Sequence, residues 1–350
     1  MKLNKFGYSQ NNSNMDCGIK KIIDNDFYIY DKVEKKWINS NDISNYDLKE
    51  FTIATWNLWG SAHFDKISLI DYRIKYIINL LKKENLTIIC LQEISKKIIN
   101  KLCNTKFIKD NYYISSIDQP WISEKIDLPD SSYHDNEPNC WSIILSKIPI
   151  NKSNYIVLKS DKIEFSTVVA EFNNLTIVNL HLQSGGLASG LDKKVGLKYH
   201  NCRQDQMKEI KQFISKNYNS KNIIYTGDFN FDLNKNKLFP ERSKIINNLK
   251  DSWIETGNNG KNGTTENTYI NTMRYNIKGL HKNYRYDGIL YKSKILKPME
   301  SRLIGTQSIF DISKKLFKII FNKDPLIINN KNRVDWYLSD HFGLITKFKF

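Results

Sequence analysis

Residues 222–230 read NIIYTGDFN, an apolar run that ends in Gly227, Asp228 and Asn230. The β-branched and aromatic residues of 222–226 predict a strand that is buried in a sheet. Asp228 and Asn230 alone would fit a turn in which their side chains bond to nearby backbone groups. At the end of a buried strand, they also offer a base and an amide donor for catalysis.

Other apolar runs of the chain also end in polar residues. Each has a plain structural explanation, such as a turn, a solvated strand end or a core histidine. Together they offer carboxylates for a hard cation, imidazoles and amide donors, which suits the cleavage of a phosphate ester. We interpret them as one site because six separate coincidences would otherwise be needed. The residues are Asn57, Glu93, His181, Asp228, Asn230, Asp287, Asp340 and His341.

Strand-like and helix-like segments alternate after residue 51. Ile70, Ile74, Ile77 and Leu81 recur at helical spacing and predict an amphipathic helix. Strands outnumber helices and several follow one another directly, which favours mixed sheets with helices outside. The pattern therefore predicts an α/β fold of packed mixed β-sheets with helices outside.

The first fifty residues differ from the rest. The runs 27–30 and 36–38 predict a hairpin. We expect residues 1–50 to form an N-terminal appendage and residues 51–350 to form the catalytic domain. Polar surface insertions are expected at 118–139 and 185–201, and a short basic helix at 310–323.

The charge balance favours a polyanionic partner. Lys and Arg number 53 against 37 Asp and Glu, which gives a net charge of +16. Nucleic acid or an anionic membrane surface would suit this surplus, although scattered lysines also serve as a solvated surface.

The cysteines indicate a reducing compartment. Five are present, an odd number, with no CxxC pair and no zinc-ligand spacing. Cys90 lies inside an apolar run and is interpreted as a core thiol. No stretch resembles a signal peptide or a membrane span. We expect an intracellular monomer, nuclear or cytoplasmic and not secreted.

The order of the motifs resembles the endonuclease/exonuclease/phosphatase superfamily. The resemblance implies the deoxyribonuclease I-like fold, a four-layered α/β-sandwich of two mixed β-sheets flanked by helices. Six short motifs in one order make the resemblance specific, whereas any one of them is weak. They are Trp56-Asn57, Gln92-Glu93, His181, Asp228-x-Asn230, Asp287 and Asp340-His341. The resemblance covers the chain from Phe51 to its end.

The resemblance implies a role for each site residue. Glu93 would bind Mg2+ directly, with Mn2+ as a substitute, and Asn57 and Asp340 would complete the metal site, partly through water. The remaining roles belong to catalysis: Asp228 as the base, Asn230, His181 and His341 as donors to the phosphate oxygens, and Asp287 as the residue that orients a histidine.

Further motifs are similar to those of the 5′-tyrosyl-DNA phosphodiesterases, which remove a tyrosine from a DNA 5′ end. They are TWNLWG at 55–60, HLQS at 181–184, DSW at 251–253, NTYINTM at 267–273, RYDGI at 285–289 and SDHFGL at 339–344. This branch implies that substrate contacts come from Ser184, Tyr269, Trp59 and Arg285. Tyr269 would equally fit a buried strand position.

The expected function is Mg2+-dependent phosphodiester hydrolysis on nucleic acid, in DNA repair. The substrate would be DNA with a 5′-phosphotyrosyl or similar 5′ adduct, and the product a 5′-phosphate. Asp232 departs from the branch, which tends to carry a basic residue there. The alternatives are an abasic-site or general endonuclease or exonuclease, a neutral sphingomyelinase-like lipid phosphodiesterase, and a non-catalytic nucleic-acid-binding protein.

Overall fold

The computed structural model describes residues 17–40, 48–60, 70–115, 141–160, 165–185, 193–234, 244–271, 273, 281–309 and 337–350. In chain order, the strands within these ranges are β1 (Gly18–Asp24), β2 (Phe27–Asp31), β3 (Lys36–Asn39), β4 (Glu50–Asn57), β5 (Ile88–Ile94), β6 (Tyr113–Ser115), β7 (Trp141–Ser146), β8 (Lys152–Lys159), β9 (Phe165–Phe172), β10 (Leu175–His181), β11 (Ile223–Asp228), β12 (Lys250–Asp251), β13 (Glu266–Asn267), β14 (Asn283–Tyr284), β15 (Asp287–Lys292), β16 (Lys297–Ile304) and β17 (Gly343–Lys349).

The helices in the same ranges are α1 (Ile70–Glu84), α2 (Lys96–Cys103), α3 (Lys106–Asn111), α4 (Lys193–Asn217) and α5 (Ser252–Glu255), with a 3₁₀ turn at Gly260–Gly263. Helix α1 follows the predicted spacing, since Ile70, Ile74, Ile77 and Leu81 are all buried. Its first turn carries an acid and its last turn carries lysines, which complements the helix dipole.

Two mixed sheets form the centre of the fold, as predicted. The seven-stranded sheet has the order β1-β8-β9-β10-β11-β15-β12, and the eight-stranded sheet has the order β16-β17-β4-β5-β7-β6-β2-β3. In each sheet one central pair is parallel, β10 with β11 and β4 with β5, and the neighbouring pairs are antiparallel. The parallel pairs bring the carboxyl ends of four strands to one end of the sandwich.

Apolar side chains from both sheets fill the space between them. Ile53 and Ile88 of the eight-stranded sheet belong to the same buried cluster as Val168 and Ile177 of the seven-stranded sheet. A second cluster joins α1 and α2 to the outer face of the eight-stranded sheet, and a third joins α4 to the outer face of the other. The layers are therefore helix, sheet, sheet and helix, which confirms the predicted fold class.

The strands before residue 50 are built into the two sheets. The predicted hairpin is present as β2 and β3, and β2 also pairs with β6. Strand β1 pairs with β8 at the edge of the other sheet. The described part of residues 1–50 is thus hydrogen-bonded into both sheets, and the division into an appendage and a catalytic domain stays a prediction.

Part of one predicted insertion is a helix. Residues 193–201 form the first turns of α4, where Tyr199 and His200 are buried four and three positions before the buried Arg203. These buried residues lie on one side of the helix, so the start of α4 is packed against the rest of the fold. The predicted insertion at 118–139, the basic helix at 310–323 and the remainder of 185–201, apart from Gly185, lie outside the described residues.

Two cysteines are paired, which the sequence did not predict. Cys17, just before β1, forms a disulfide with Cys202 on α4. Cys90 and Cys103 are buried thiols, and Cys90 lies in the core between the sheets as predicted. The reducing compartment stays a prediction. None of the described helices is both long enough and apolar enough to cross a membrane.

Candidate active site

The polar residues identified from the sequence meet at one end of the two sheets. In the eight-stranded sheet Asn57 is paired with Gln92, so Glu93 follows beside it. In the seven-stranded sheet His181 is paired with Asp228, and Asp228 with Asp287. The turn with Asp340 and His341 leads into β17, next to β4.

The amide of Asn57 joins the two sheets. Its Nδ2 atom lies 3.0 Å from Glu93 Oε1 and 3.0 Å from Asp228 Oδ2, so one amide donates to a carboxylate of each sheet. Its Oδ1 atom accepts a hydrogen bond of 2.9 Å from the backbone N–H of Trp59. The side chain of Asn57 therefore fixes the spacing between Glu93 and Asp228.

Three residues at this end have a left-handed backbone. Trp59, Glu93 and Asn230 have φ angles of 48°, 53° and 55°. Non-glycine residues rarely adopt this conformation, and it is found at functional sites where the surrounding contacts impose it. Here, Gly60 N–H donates to Glu93 O at 3.1 Å, and Asn230 N–H donates to Asp228 Oδ1 at 2.8 Å.

His181 is buried between two carboxylates. Its Nε2 atom lies 3.9 Å from Glu93 Oε1 and 3.8 Å from Asp228 Oδ2, and its ring packs edge-on against Phe165. Burial, with a smaller effect from the charge of His341, lowers the pKa of His181 to about 3. The imidazole is therefore neutral at physiological pH.

His341 has the opposite protonation state. Burial alone would lower its pKa, but the charges of Asp287 and Asp340 and the hydrogen bond to Asp287 raise the pKa of His341 well above its usual range. The Nδ1 atom of His341 lies 2.7 Å from Asp287 Oδ2. The backbone N–H of Asp287 in turn donates to Thr265 Oγ1 at 3.0 Å. The site thus holds one neutral and one protonated histidine.

The surroundings of Asp228 raise its pKa. Burial and then the charge of Asp287 raise the pKa of Asp228 to about 7, against the lowering effects of His341 and of hydrogen bonds from Asn57 and Asn230. Its carboxylate therefore exchanges protons near neutral pH, as a general base should.

The carboxylates fit a divalent cation. Ligand atoms of Asp228, Asp287 and His341 lie within 4.8 Å of one another. This cluster differs from the metal set predicted from the sequence, Glu93, Asp340 and Asn57, but it adjoins it through Asn57. Because His341 is protonated against Asp287, its imidazole has no lone pair for a cation. The ligands that this cluster offers are therefore the carboxylates of Asp228 and Asp287, and buried carboxylates favour a hard cation.

Two of the four predicted substrate contacts are accessible. Tyr269 is 66% exposed, which excludes a buried strand position, and its ring stacks on His281 at 4.7 Å. Ser184 is half-buried in the segment that follows β10. The loop with Tyr269 is joined to the Asp340 turn, since Asn271 Nδ2 donates to Ser339 O at 2.7 Å.

The other two predicted contacts are buried against protein groups. Trp59 lies in the core with the guanidinium of Arg73 5.7 Å from its ring centroid. Arg285 forms a bidentate ion pair with Asp251. Asp232, the departure from the branch, accepts from Arg285 N–H at 3.1 Å and from Asn234 N–H at 3.2 Å. Arg285 and Asp232 shape the turn after β11, and neither is presented to a ligand.

Arg73 supports the site and was not among the residues predicted from the sequence. Its guanidinium is fully buried and donates to Leu58 O at 3.1 Å, to Trp59 O at 2.9 Å and to Leu338 O. It therefore ties the segment after Asn57 to the segment before Asp340. The available signal was an arginine within the apolar stripe of α1.

Solved structures with the same architecture include TDP2 from C. elegans, with a TM-score of 0.56 at 20% identity, covering 87% of this chain and 77% of that chain. TDP2 from D. rerio, complexed with single strand DNA product, gives 0.52 at 14% identity, over 86% of this chain and 99% of that chain. An endonuclease/exonuclease/phosphatase from Bacteroides vulgatus gives a TM-score of 0.56 at 12% identity, over 86% of this chain and 99% of that chain. Neither a family model nor a curated protein sequence matches the chain. The chain thus has the fold of the endonuclease/exonuclease/phosphatase proteins, and the resemblance predicted from its motifs is confirmed for the fold.

Proposed function

We propose that this chain hydrolyses phosphodiesters with the help of a divalent cation. The observation that carries the proposal is the shared amide of Asn57, which holds Glu93 and Asp228 together within 4 Å of a neutral His181. A protonated His341 completes the set. These groups supply a base, hydrogen-bond donors and cation ligands within one buried cluster.

Each residue has a role that its surroundings support. Asp228, with its pKa near neutrality, accepts the proton of the attacking water. His341 donates from its charged imidazolium to a phosphate oxygen as negative charge develops, and Asp287 keeps it protonated. His181 and the amide of Asn230 donate to the same phosphate.

Glu93 and Asp340 would hold Mg2+, or Mn2+ in its place, with Asn57 beside them. When bound, the cation supplies positive charge that polarises the phosphate and stabilises the leaving oxygen. Glu93 suits this role because its strained backbone and its bond to Asn57 fix the carboxylate beforehand.

We propose nucleic acid with a 5′ adduct as the substrate class, a 5′-phosphotyrosyl DNA end in particular. The net charge of +16 favours a polyanion. Tyr269 offers an exposed ring for stacking on a base or sugar, and Ser184 offers a hydroxyl in the segment that follows β10. One structure of similar fold, TDP2 from D. rerio, was solved with a single strand DNA product.

The test is the turnover of a labelled oligonucleotide with a 5′-phosphotyrosine, in Mg2+ and in EDTA, beside a strand with an abasic site. We expect Mg2+-dependent release of tyrosine, a 5′-phosphate product and an intact abasic strand. Cleavage at the abasic site or internal nicking would instead assign an endonuclease. If the protein binds both strands but cuts neither, the hydrolytic proposal fails.

A further inference from the structure

Two amide side chains connect the sheets directly behind the candidate site. Gln92 of β5 donates from Nε2 to Asn179 Oδ1 of β10 at 2.6 Å, and also to Thr55 Oγ1 at 3.0 Å. Asn179 and Gln92 are both fully buried. A buried amide is costly unless its hydrogen bonds are made, so this bridge needs a reason beyond filling space.

Asn179 also holds the irregular part of β5. Its Nδ2 atom donates to Leu91 O at 3.0 Å and to Ile143 O at 2.8 Å. Leu91 and Ile143 form the last regular pair of β5 with β7, because the register shifts between Leu91 and Ile94. Such a bulge redirects the side chains that it carries. The bulge of β5 carries Glu93, whose backbone is left-handed with a φ of 53°.

The same asparagine is close to the other half of the site. On β10 it stands two residues before His181, so both side chains point to the same face of the strand. Along β11, the partner of Asn179 is Thr226 and the partner of His181 is Asp228. A shift of Asn179 therefore moves His181 on its own strand and the bulge of Glu93 on the facing sheet.

We infer that Gln92 and Asn179 form a positioning lock, which fixes the bulge of β5 and thereby sets Glu93 relative to His181 and Asp228. Neither touches the reacting atoms; both act through the residues that do. The inference rests on the proposed function, since it assigns Glu93 to cation binding. Loss of a residue that orients a metal ligand commonly costs about 10- to 100-fold in metal affinity or activity.

The test compares Asn179→Leu with Asn154→Leu. Asn154 is also buried in the seven-stranded sheet, where it donates to Asp24 at 2.8 Å and accepts from Tyr218, away from the candidate site. Both variants should unfold at a lower temperature than the wild type. Only Asn179→Leu should weaken Mn2+ binding, measured by electron paramagnetic resonance, and raise the Mg2+ concentration for half-maximal turnover, each by about 10-fold or more.

A second variant covers the case in which Asn179→Leu does not fold. The pair Gln92→Met and Asn179→Leu removes both amides, so neither is left buried without its partner. It should show the same loss of Mn2+ affinity. Wild-type affinity in either folded variant overturns the lock alone. If the wild type itself binds no Mn2+, the proposed function fails, and the lock fails with it.

Discussion

The Nδ1 atom of His341 lies 2.7 Å from Asp287 Oδ2, and both side chains are buried at the junction of the two sheets. The bond joins residues 54 positions apart, from the start of β15 and the turn before β17. It keeps a charged imidazolium in a place where burial alone would remove the proton.

Asp287→Asn should lower turnover by about 100-fold or more, because His341 loses the carboxylate that keeps it protonated. Asp287 also raises the pKa of His341, so the basic limb of kcat/KM, where His341 loses its proton, should move to lower pH in this variant. The pH profile of kcat/KM measures both effects. Asp205→Asn, at an exposed position on α4, is the control. If Asp287→Asn turned over at the wild-type rate with an unchanged pH profile, the role assigned to Asp287 would be wrong.

His181 should make the metal-free protein less stable in acid. Its pKa is about 3 when folded against an ordinary value of 6.5, so between these values only the unfolded chain binds the proton. Stability is therefore lost as pH falls below 6.5, by up to about 1.4 kcal/mol for each pH unit.

In His181→Asn this loss should disappear. Relative to the wild type, the variant should gain about 2 kcal/mol in the free energy of unfolding between pH 7 and pH 5. Urea denaturation at each pH gives the values, with His281→Asn at an exposed position as the control. Parallel curves for wild type and His181→Asn would show that His181 is not buried in its neutral form.

Asp251→Asn should destabilise the fold by about 3–5 kcal/mol, because it leaves the guanidinium of Arg285 buried without its carboxylate. The double variant Asp251→Leu and Arg285→Met should lose much less, since no buried charge remains. Chemical denaturation of the three proteins decides the matter. Equal losses in the single and double variants would contradict a buried ion pair.

Reduction should destabilise the fold through Cys17 and Cys202. Their disulfide closes a long loop between the start of β1 and α4 and should contribute about 2–4 kcal/mol. Thermal unfolding with and without a phosphine reductant measures the effect. The double variant Cys17→Ser and Cys202→Ser should not respond to the reductant. A response of similar size in that variant would place the effect elsewhere.

The fold and the cluster of polar residues were predictable from local pattern. Apolar periodicity marks strands such as 222–226 and the helix over α1, and the residues that follow the strands are visible in the sequence. Parallel pairing then brings strand ends together, as happens for His181 and Asp228. The same pattern predicts packed mixed sheets with helices outside, and the resemblance of the motifs to a known superfamily adds the four layers.

What was not predictable depends on contacts between distant parts of the chain. Nothing in the sequence near Arg285 indicates that it will be buried in an ion pair with Asp251. Likewise, nothing near Trp59 indicates that the guanidinium of Arg73 will pack on its ring. The pairing of Cys17 with Cys202 spans 185 residues, beyond any local spacing rule. Asn179 is visible in the sequence as a polar residue within an apolar strand. Its partner Gln92 lies on the other sheet, so the sequence does not show which residue it bonds to.

The most direct measurement of the central claim is the Mg2+-dependent turnover of the 5′-phosphotyrosyl oligonucleotide by wild type, Glu93→Gln and Asp228→Asn, with Glu171→Gln of β9 as the control. We predict turnover by the wild type and the control, and a loss of about 100-fold or more in the two site variants, all with the circular dichroism of the folded wild type. Wild-type rates in Glu93→Gln or Asp228→Asn would show that hydrolysis takes place elsewhere on the molecule.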